Sequence, residues 1–200
     1  MAWAHEDGER IHPERTEAWG RWLEAHHERD AGVWLVSWRK ASGRPDMTYE
    51  EMVVEALRFG WVDSRPSKLD DERTMLWFSP RRRGSAWARP NKERIERLER
   101  GGRLEPAGRR AVEAAKADGS WSRLDDVERL IVPDDLAAAF EREPGSREQW
   151  DGFPPSARRG ILEWIVQAKR EATRGKRIEE TARLAARGER ANQWTPRPDR

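Results

Sequence analysis

Between Phe59 and Asn91 the chain gathers aromatic rings, arginines and short polar groups into one stretch, FGWVDSRPSKLDDERTMLWFSPRRRGSAWARPN. Trp61, Trp77 and Trp87 supply flat apolar faces, Arg81 and Arg82 supply guanidinium groups, and Asp63, Ser85 and Asn91 supply small polar side chains. This is a chemistry for holding a carboxylate or phosphate: a guanidinium presents N–H donors in a planar fork, and an aromatic ring can carry the cation or the ligand on its face. A helix beginning near Asn91 would add backbone N–H donors and the positive end of its dipole. The candidate binding set is therefore Trp61, Asp63, Trp77, Arg81, Arg82, Ser85, Trp87 and Asn91. The same residues also read as a solvated strand end with tryptophans packed in a core, because aromatics at strand spacing are common packing material. Asp63 is expected to pair with Arg81 or Arg82 rather than to react.

No residue reads as catalytic and no metal or cofactor is implied. The four histidines, His5, His12, His26 and His27, all lie in the first 27 residues, away from this stretch. Glu24, His26, His27 and Asp30 would have to ligate a metal from different faces of one helix, since neighbours at i and i+1 point apart. Asp70, Asp71 and Glu72 can touch a hard cation, but a polar hairpin tip explains them equally directly. Phosphate-loop, dinucleotide, zinc-protease and nucleophile-elbow patterns are all absent from the sequence.

Two hundred residues suffice for one compact domain with a helical extension. Only 36% are apolar and 38% are charged, so the helices must be amphipathic and the twelve tryptophans must supply much of the core. Net charge is only +2, yet it is polarised. Residues 81–110 hold eleven Lys and Arg against four Asp and Glu, whereas the first thirty residues hold eight acids against four arginines. The absence of cysteine suits a reducing compartment. The acidic start of the chain has no apolar core of a signal peptide, and no apolar run reaches the roughly 18 residues of a membrane span, so a cytoplasmic protein without membrane insertion is expected.

The elements that must position these residues can be read from periodicity. Residues 1–15 read as a loose lead-in. Thr16 reads as the cap of a helix whose Trp19, Trp22, Leu23 and His26 share a face. Val33–Trp38 reads as a buried strand. Thr48 with Glu51 predicts a capping box, and Met52, Val53, Ala56 and Leu57 the buried stripe of the helix that follows. Gly60 is placed to turn that helix into a strand at Trp61, which returns through a hairpin loop within Ser67–Arg73 as Thr74–Ser79. The fold class is α+β: a small three-stranded, mostly antiparallel sheet with packed helices, spanning residues 16–104, then an all-helical region, 105–190, packed on it. In that region Pro106 and Pro133 start helices, and a long pattern runs from Ile161 past Gly175 to Ala185. Residues 191–200 read as a loose tail.

The order of SWRKASGRP, TYEEMVVEALRFGWVDS and WFSPRRRGSAWARPNKERIERLERGGRLEPAG, closing with FPPSARRGILEWIVQAKREATRGKRI, resembles the YdeI/OmpD-associated family of bacteriocin-protection proteins over roughly residues 16–190. Ser64 stands where that family more often has glycine, and the arginine run after Pro80 is one residue longer. The resemblance implies a stress or antimicrobial-protection role and carries no catalytic residues to this chain. Three function classes stay open. The first is a non-catalytic module binding a small anion or a protein partner. The second is a nucleic-acid binder using basic helix faces, including Arg158, Arg159, Lys169, Arg170, Arg174, Lys176 and Arg177. The third is an enzyme acting on an anionic small molecule.

Overall fold

A computed structural model describes residues 8–44 and 47–193; His5 and the rest of residues 1–7, Pro45, Asp46 and residues 194–200 lie outside the described residues. The chain divides between Trp121 and Ser122 into two compact units.

The first unit is built on a four-stranded mixed sheet in the order β1-β2-β4-β3, comprising β1 Arg10–Ile11, β2 Val33–Trp38, β3 Trp61–Lys68 and β4 Arg73–Pro80. The sequence predicts three strands, and the fourth is β1, which pairs parallel with β2 through Arg10 opposite Trp34. A two-residue strand is too short to show a period, and its pairing is a long-range event. β2 and β3 both pair antiparallel with β4, with Val33 opposite Phe78 and Val62 opposite Ser79. The hairpin tip is closed by Asp70, whose Oδ1 accepts from the backbone N–H groups of Glu72 and Arg73.

Among the described residues this unit has four α-helices, α1 Thr16–His26, α2 Tyr49–Arg58, α3 Arg89–Arg100 and α4 Pro106–Ala117, and a short 3-10 turn at Lys40–Ser42. Arg15, not Thr16, is the N-cap of α1, and it makes no side-chain capping bond. The α2 capping box is present in full: Thr48 Oγ1 accepts from Glu51 N–H at 3.2 Å while the Glu51 carboxylate accepts from Thr48 N–H at 2.7 Å. One sheet face buries Val33, Leu35, Trp61 and Phe78 against Trp19, Leu23, Val53 and Leu57, all at 1% exposure or less. The indole N–H groups in this core are satisfied by distant carbonyls, Trp19 donating to Met52 and Trp61 to His27, each at 3.1 Å. The opposite face holds a separate cluster of Trp34, Val36, Met75 and Trp77.

Close backbone approach sets where α4 lies. A Cβ on Gly108 would come within 2.3 Å of the Arg58 carbonyl oxygen, so only glycine lets α4 rest on the end of α2. Gly60, at φ 77°, turns α2 into β3 beside the same helix, with its missing Cβ 3.1 Å from the Ala107 carbonyl. Charges reinforce the junction: Arg58 spans Glu55, which is 4% exposed, and Glu105.

A second network joins α2, β3 and α3. Tyr49 Oη donates to Asp63 Oδ2 at 2.9 Å, and Arg94 binds Glu50 through Nε at 2.9 Å and Nη2 at 2.6 Å. The Tyr49 ring is 54% exposed, yet burial near its hydroxyl, then the Asp63 hydrogen bond and charge, push its pKa up to about 12. Arg94 and Arg97 together hold the Glu50 carboxyl below its usual range.

The second unit is all-helical, with α5 Asp125–Glu128, α6 Asp134–Arg142, α7 Ser146–Gly152, α8 Pro155–Val166 and α9 Glu171–Ala185. The single long pattern expected after Ile161 is two helices, α8 and α9, separated at residues 167–170, and Gly175 stays inside α9. Leu136, Phe140, Trp150, Ile161, Ile165 and Ala182 are buried in it. Arg174 grips Asp135 with two bonds, 2.7 and 2.9 Å, tying α9 to α6.

Gly108→Ala is expected to lower the stability of the first unit by about 1–3 kcal/mol through overpacking against fixed backbone. Gly160→Ala, in α8 with nothing within 4 Å of the added carbon, is expected to raise stability by about 0.5–1 kcal/mol. Urea midpoints at constant m-value check both. Tyr49 is the sole tyrosine, so an ultraviolet titration reads it directly. Its ionisation is expected near pH 12 and to fall in Asp63→Asn while staying above 10, because burial, the larger cause, remains. Because the folded-state pKa lies above the unfolded value, this contribution is complete below about pH 10 and lost as pH rises to about 12.

Candidate functional site

The loop from the end of β4 to the start of α3 carries the arginine run, and several backbone bonds hold it in place. Arg81 N–H donates to the Gly60 carbonyl at 3.0 Å, Trp87 N–H to the Ser120 carbonyl at 3.3 Å, and Gly84 N–H to Asp118 Oδ2 at 3.0 Å. Asp118 Oδ1 also accepts from Ser120 N–H at 2.9 Å, so one carboxylate clasps the loop to the turn after α4. Ser85 Oγ turns back to donate to the Arg82 carbonyl at 2.7 Å.

Within this frame Arg81 is folded inward. Its guanidinium carbon lies 3.8 Å from the centroid of the Trp87 ring, itself only 1% exposed. Nη2 donates to the Ala86 carbonyl, whereas Nε and Nη1 are buried without any hydrogen-bond partner. Burial pushes the Arg81 pKa down to about 10, against which the Asp63 charge acts in the opposite sense. The Ser120 hydroxyl, in a residue 1% exposed, is likewise buried with no partner. Arg81, Ser120 and Trp87 line one small cavity of about 30 Å³, walled by Ala111, Ala114 and Ala115 of α4. That volume admits a water or one end of an oxyanion.

The predicted set separates on this geometry. Arg81, Arg82, Ser85 and Trp87 come together around the cavity, with Arg82 exposed at its edge. Trp77 lies on the opposite sheet face, edge-on to Trp34 at 5.2 Å, and lines a larger cleft that Arg81, Arg82 and Ser85 also border. Trp61 is fully buried in the core. Asp63 does not form the expected ion pair; it takes the Tyr49 hydrogen bond and reaches Arg81 only through its field. The expected N-cap at Asn91 is also corrected: α3 begins at Arg89 with Ala88 as N-cap, because Pro90 favours the first turn. Asn91 Oδ1 accepts instead from Arg94 Nη1 at 2.8 Å.

Ser120, Asp118 and the alanine wall carry no signal in the sequence, being far from the arginine run along the chain and brought to it by the packing of α4 through Gly108. The other candidates are engaged elsewhere. His26 Nδ1 donates to the Trp22 carbonyl at 2.7 Å, and among the described residues no cluster of three His, Asp or Glu side chains is placed to hold a metal ion. Asp71 pairs with Lys68 at 2.6 Å beside the hairpin tip. Of the basic helix residues, Arg174 is held by Asp135, and Arg177 donates to the Trp164 carbonyl. No described helix is long and apolar enough to cross a membrane.

Neither the curated proteins nor the solved structures hold a match to this chain. Residues 129–188 match the family described as Bacteriocin-protection, YdeI or OmpD-Associated, which is the resembled family but over a shorter span than residues 16–190. Residues 11–111 match a different family, described as Domain of unknown function (DUF8412). This match covers half of the chain and includes β2, β3, β4 and the arginine–tryptophan cavity's loop, so the chain belongs to the DUF8412 family, with a C-terminal region similar to the YdeI/OmpD-associated bacteriocin-protection proteins.

Proposed function

We propose that the first unit is a non-catalytic module that binds a small organic or inorganic anion at Arg81, the binding function of a cytoplasmic protein in a stress or antimicrobial-protection role. The observation that carries this reading is the buried guanidinium with Nε and Nη1 unpaired. A buried charge without a partner is costly, and it persists where something else compensates it. A carboxylate or phosphate oxygen entering the cavity would accept from those N–H groups and from the Ser120 hydroxyl. It would do so beside a tryptophan that already spreads the cation's charge over its ring. Arg82, exposed at the cavity's edge, adds positive potential that draws an anion in. The nearby Asp118 carboxylate is taken up by the Gly84 and Ser120 N–H groups, and among the described residues no histidine lines the cavity to activate the Ser120 hydroxyl, so binding rather than turnover is the reading.

Titration with acetate and inorganic phosphate, followed by tryptophan fluorescence, tests it, because Trp87 lies under the binding group. Saturable binding is expected in the native chain. Arg81→Met is expected to weaken it at least tenfold, the loss of one or two charge-assisted hydrogen bonds, while leaving the urea midpoint unchanged or higher, since it removes an uncompensated buried charge. Arg82→Ala is expected to leave folding intact and to weaken binding a few-fold with a shallower salt dependence. Binding that survives Arg81→Met, or binding confined to oligonucleotides and lost with salt, overturns the proposal.

A further inference from the structure

The cavity beside Arg81 is too small for an organic molecule, but the same arginine borders a cleft of about 830 Å³. That volume lies within the range of small-molecule sites. The cleft lies at one end of the sheet, where β2 and β3 begin and β4 ends, with Val62, Ser79 and Pro80 on its walls. Its shape depends on Gly32. A Cβ there would lie 2.5 Å from the Trp77 ring and 2.5 Å from the Phe78 carbonyl oxygen, so the missing side chain is what lets the indole lie against the backbone.

The charges on the cleft are segregated. Arg81 and Arg82 enter from the end of β4, whereas Glu9 and Asp30 enter from the segment before β1 and from the turn between α1 and β2. Glu9 is fixed in position on the acidic side. The Glu9 carbonyl accepts from Trp34 N–H at 2.8 Å, and its carboxylate pairs with Arg29 at 2.7 Å. Arg29 neutralises one of the two acids, so this side keeps an excess negative charge facing two arginines. A plain organic anion would meet Arg81 at one end and an acidic wall at the other. A ligand complementary to both ends carries a negative group and a positive group.

Building on the anion-binding reading, we infer that the ligand is a small organic zwitterion, its carboxylate at Arg81 and Arg82 and its ammonium group at Asp30, beside the Glu9–Arg29 pair, with the chain between them lying over Trp77. A free short peptide has this chemistry at neutral pH, because its terminal amine is protonated below a pKa of about 8.

Trialanine and N-acetyltrialanine test it, since they differ in the ammonium charge and keep the same carboxylate. Titration by tryptophan fluorescence at pH 7 is expected to show trialanine binding at least tenfold more tightly. In Asp30→Asn, a change at an exposed position, trialanine is expected to weaken and N-acetyltrialanine to bind no more weakly than in the native chain, so that the two bind within about twofold of each other. Equal binding of the two peptides by the native chain overturns the zwitterion and leaves the anion site standing. So does Arg81-dependent binding of acetate or phosphate with silence from both peptides. Silence from every peptide and every simple anion removes both readings.

Discussion

The contact on which the candidate site depends is made by no functional side chain: it is the approach of Gly108 to the carbonyl of Arg58, a position where a methyl group would sit 2.3 Å from oxygen. Because α4 can rest there, Ala111, Ala114 and Ala115 form a flat wall opposite the arginine loop, and the turn after α4 brings Asp118 and Ser120 to it. Gly60 contributes to the same junction twice. Its left-handed backbone turns α2 into β3, and its carbonyl receives the Arg81 N–H. Sheet, helix and site are thus fastened at one place.

Two buried or half-buried arginines in this unit show opposite solutions to the same electrostatic problem. Arg58 is matched by Glu55 and Glu105, and these partners hold its pKa above the ordinary value despite burial. Arg81 has only a carbonyl, an aromatic face and the field of Asp63, and its pKa falls. A chain with 38% charged residues has acids to spare for a second pairing, so a shortage of carboxylates does not explain why Arg81 lacks one. Asp63 sits nearby on β3 yet is turned to Tyr49. This difference places Arg58 in the framework and is what makes Arg81 the residue on which the proposed binding rests.

What was legible in the sequence was local. Val33–Trp38, the Thr48–Glu51 capping box, the Gly60 turn and the proline-led start of α4 each depend on residues within one turn or one strand, and each occurs where periodicity and capping place it. The grouping of Arg81, Arg82, Ser85 and Trp87 was legible for the same reason, as they lie within seven positions of one another. β1 was not, since two residues show no period and their pairing with Trp34 and Leu35 is decided by the sheet. The partner of Asp63 is not legible, because strand register alone points to the arginines and does not say that the Tyr49 hydroxyl, from the start of α2, reaches it first. Ser120 and Asp118 were invisible because only the packing of α4 makes them neighbours of Arg81.

The tryptophans pose the question of whether aromatic rings in such a stretch are core or platform, and Trp87 shows that these alternatives are not exclusive. A ring has two faces and an edge, and burial counts the whole residue. Trp87 is 1% exposed and contacts Trp121 at 5.0 Å, which makes it core, while Arg81 lies 3.8 Å from its centroid, which makes it a platform. The stack continues, since Lys92 and Lys116 lie 5.5 and 5.3 Å from the Trp121 ring. Such a stack concentrates positive charge over buried aromatic surface, at the face where the chain holds its densest run of basic residues. Under the proposed anion binding, a ligand would gain from the cation without the tryptophan leaving the core, so packing and binding would reinforce one another at this residue.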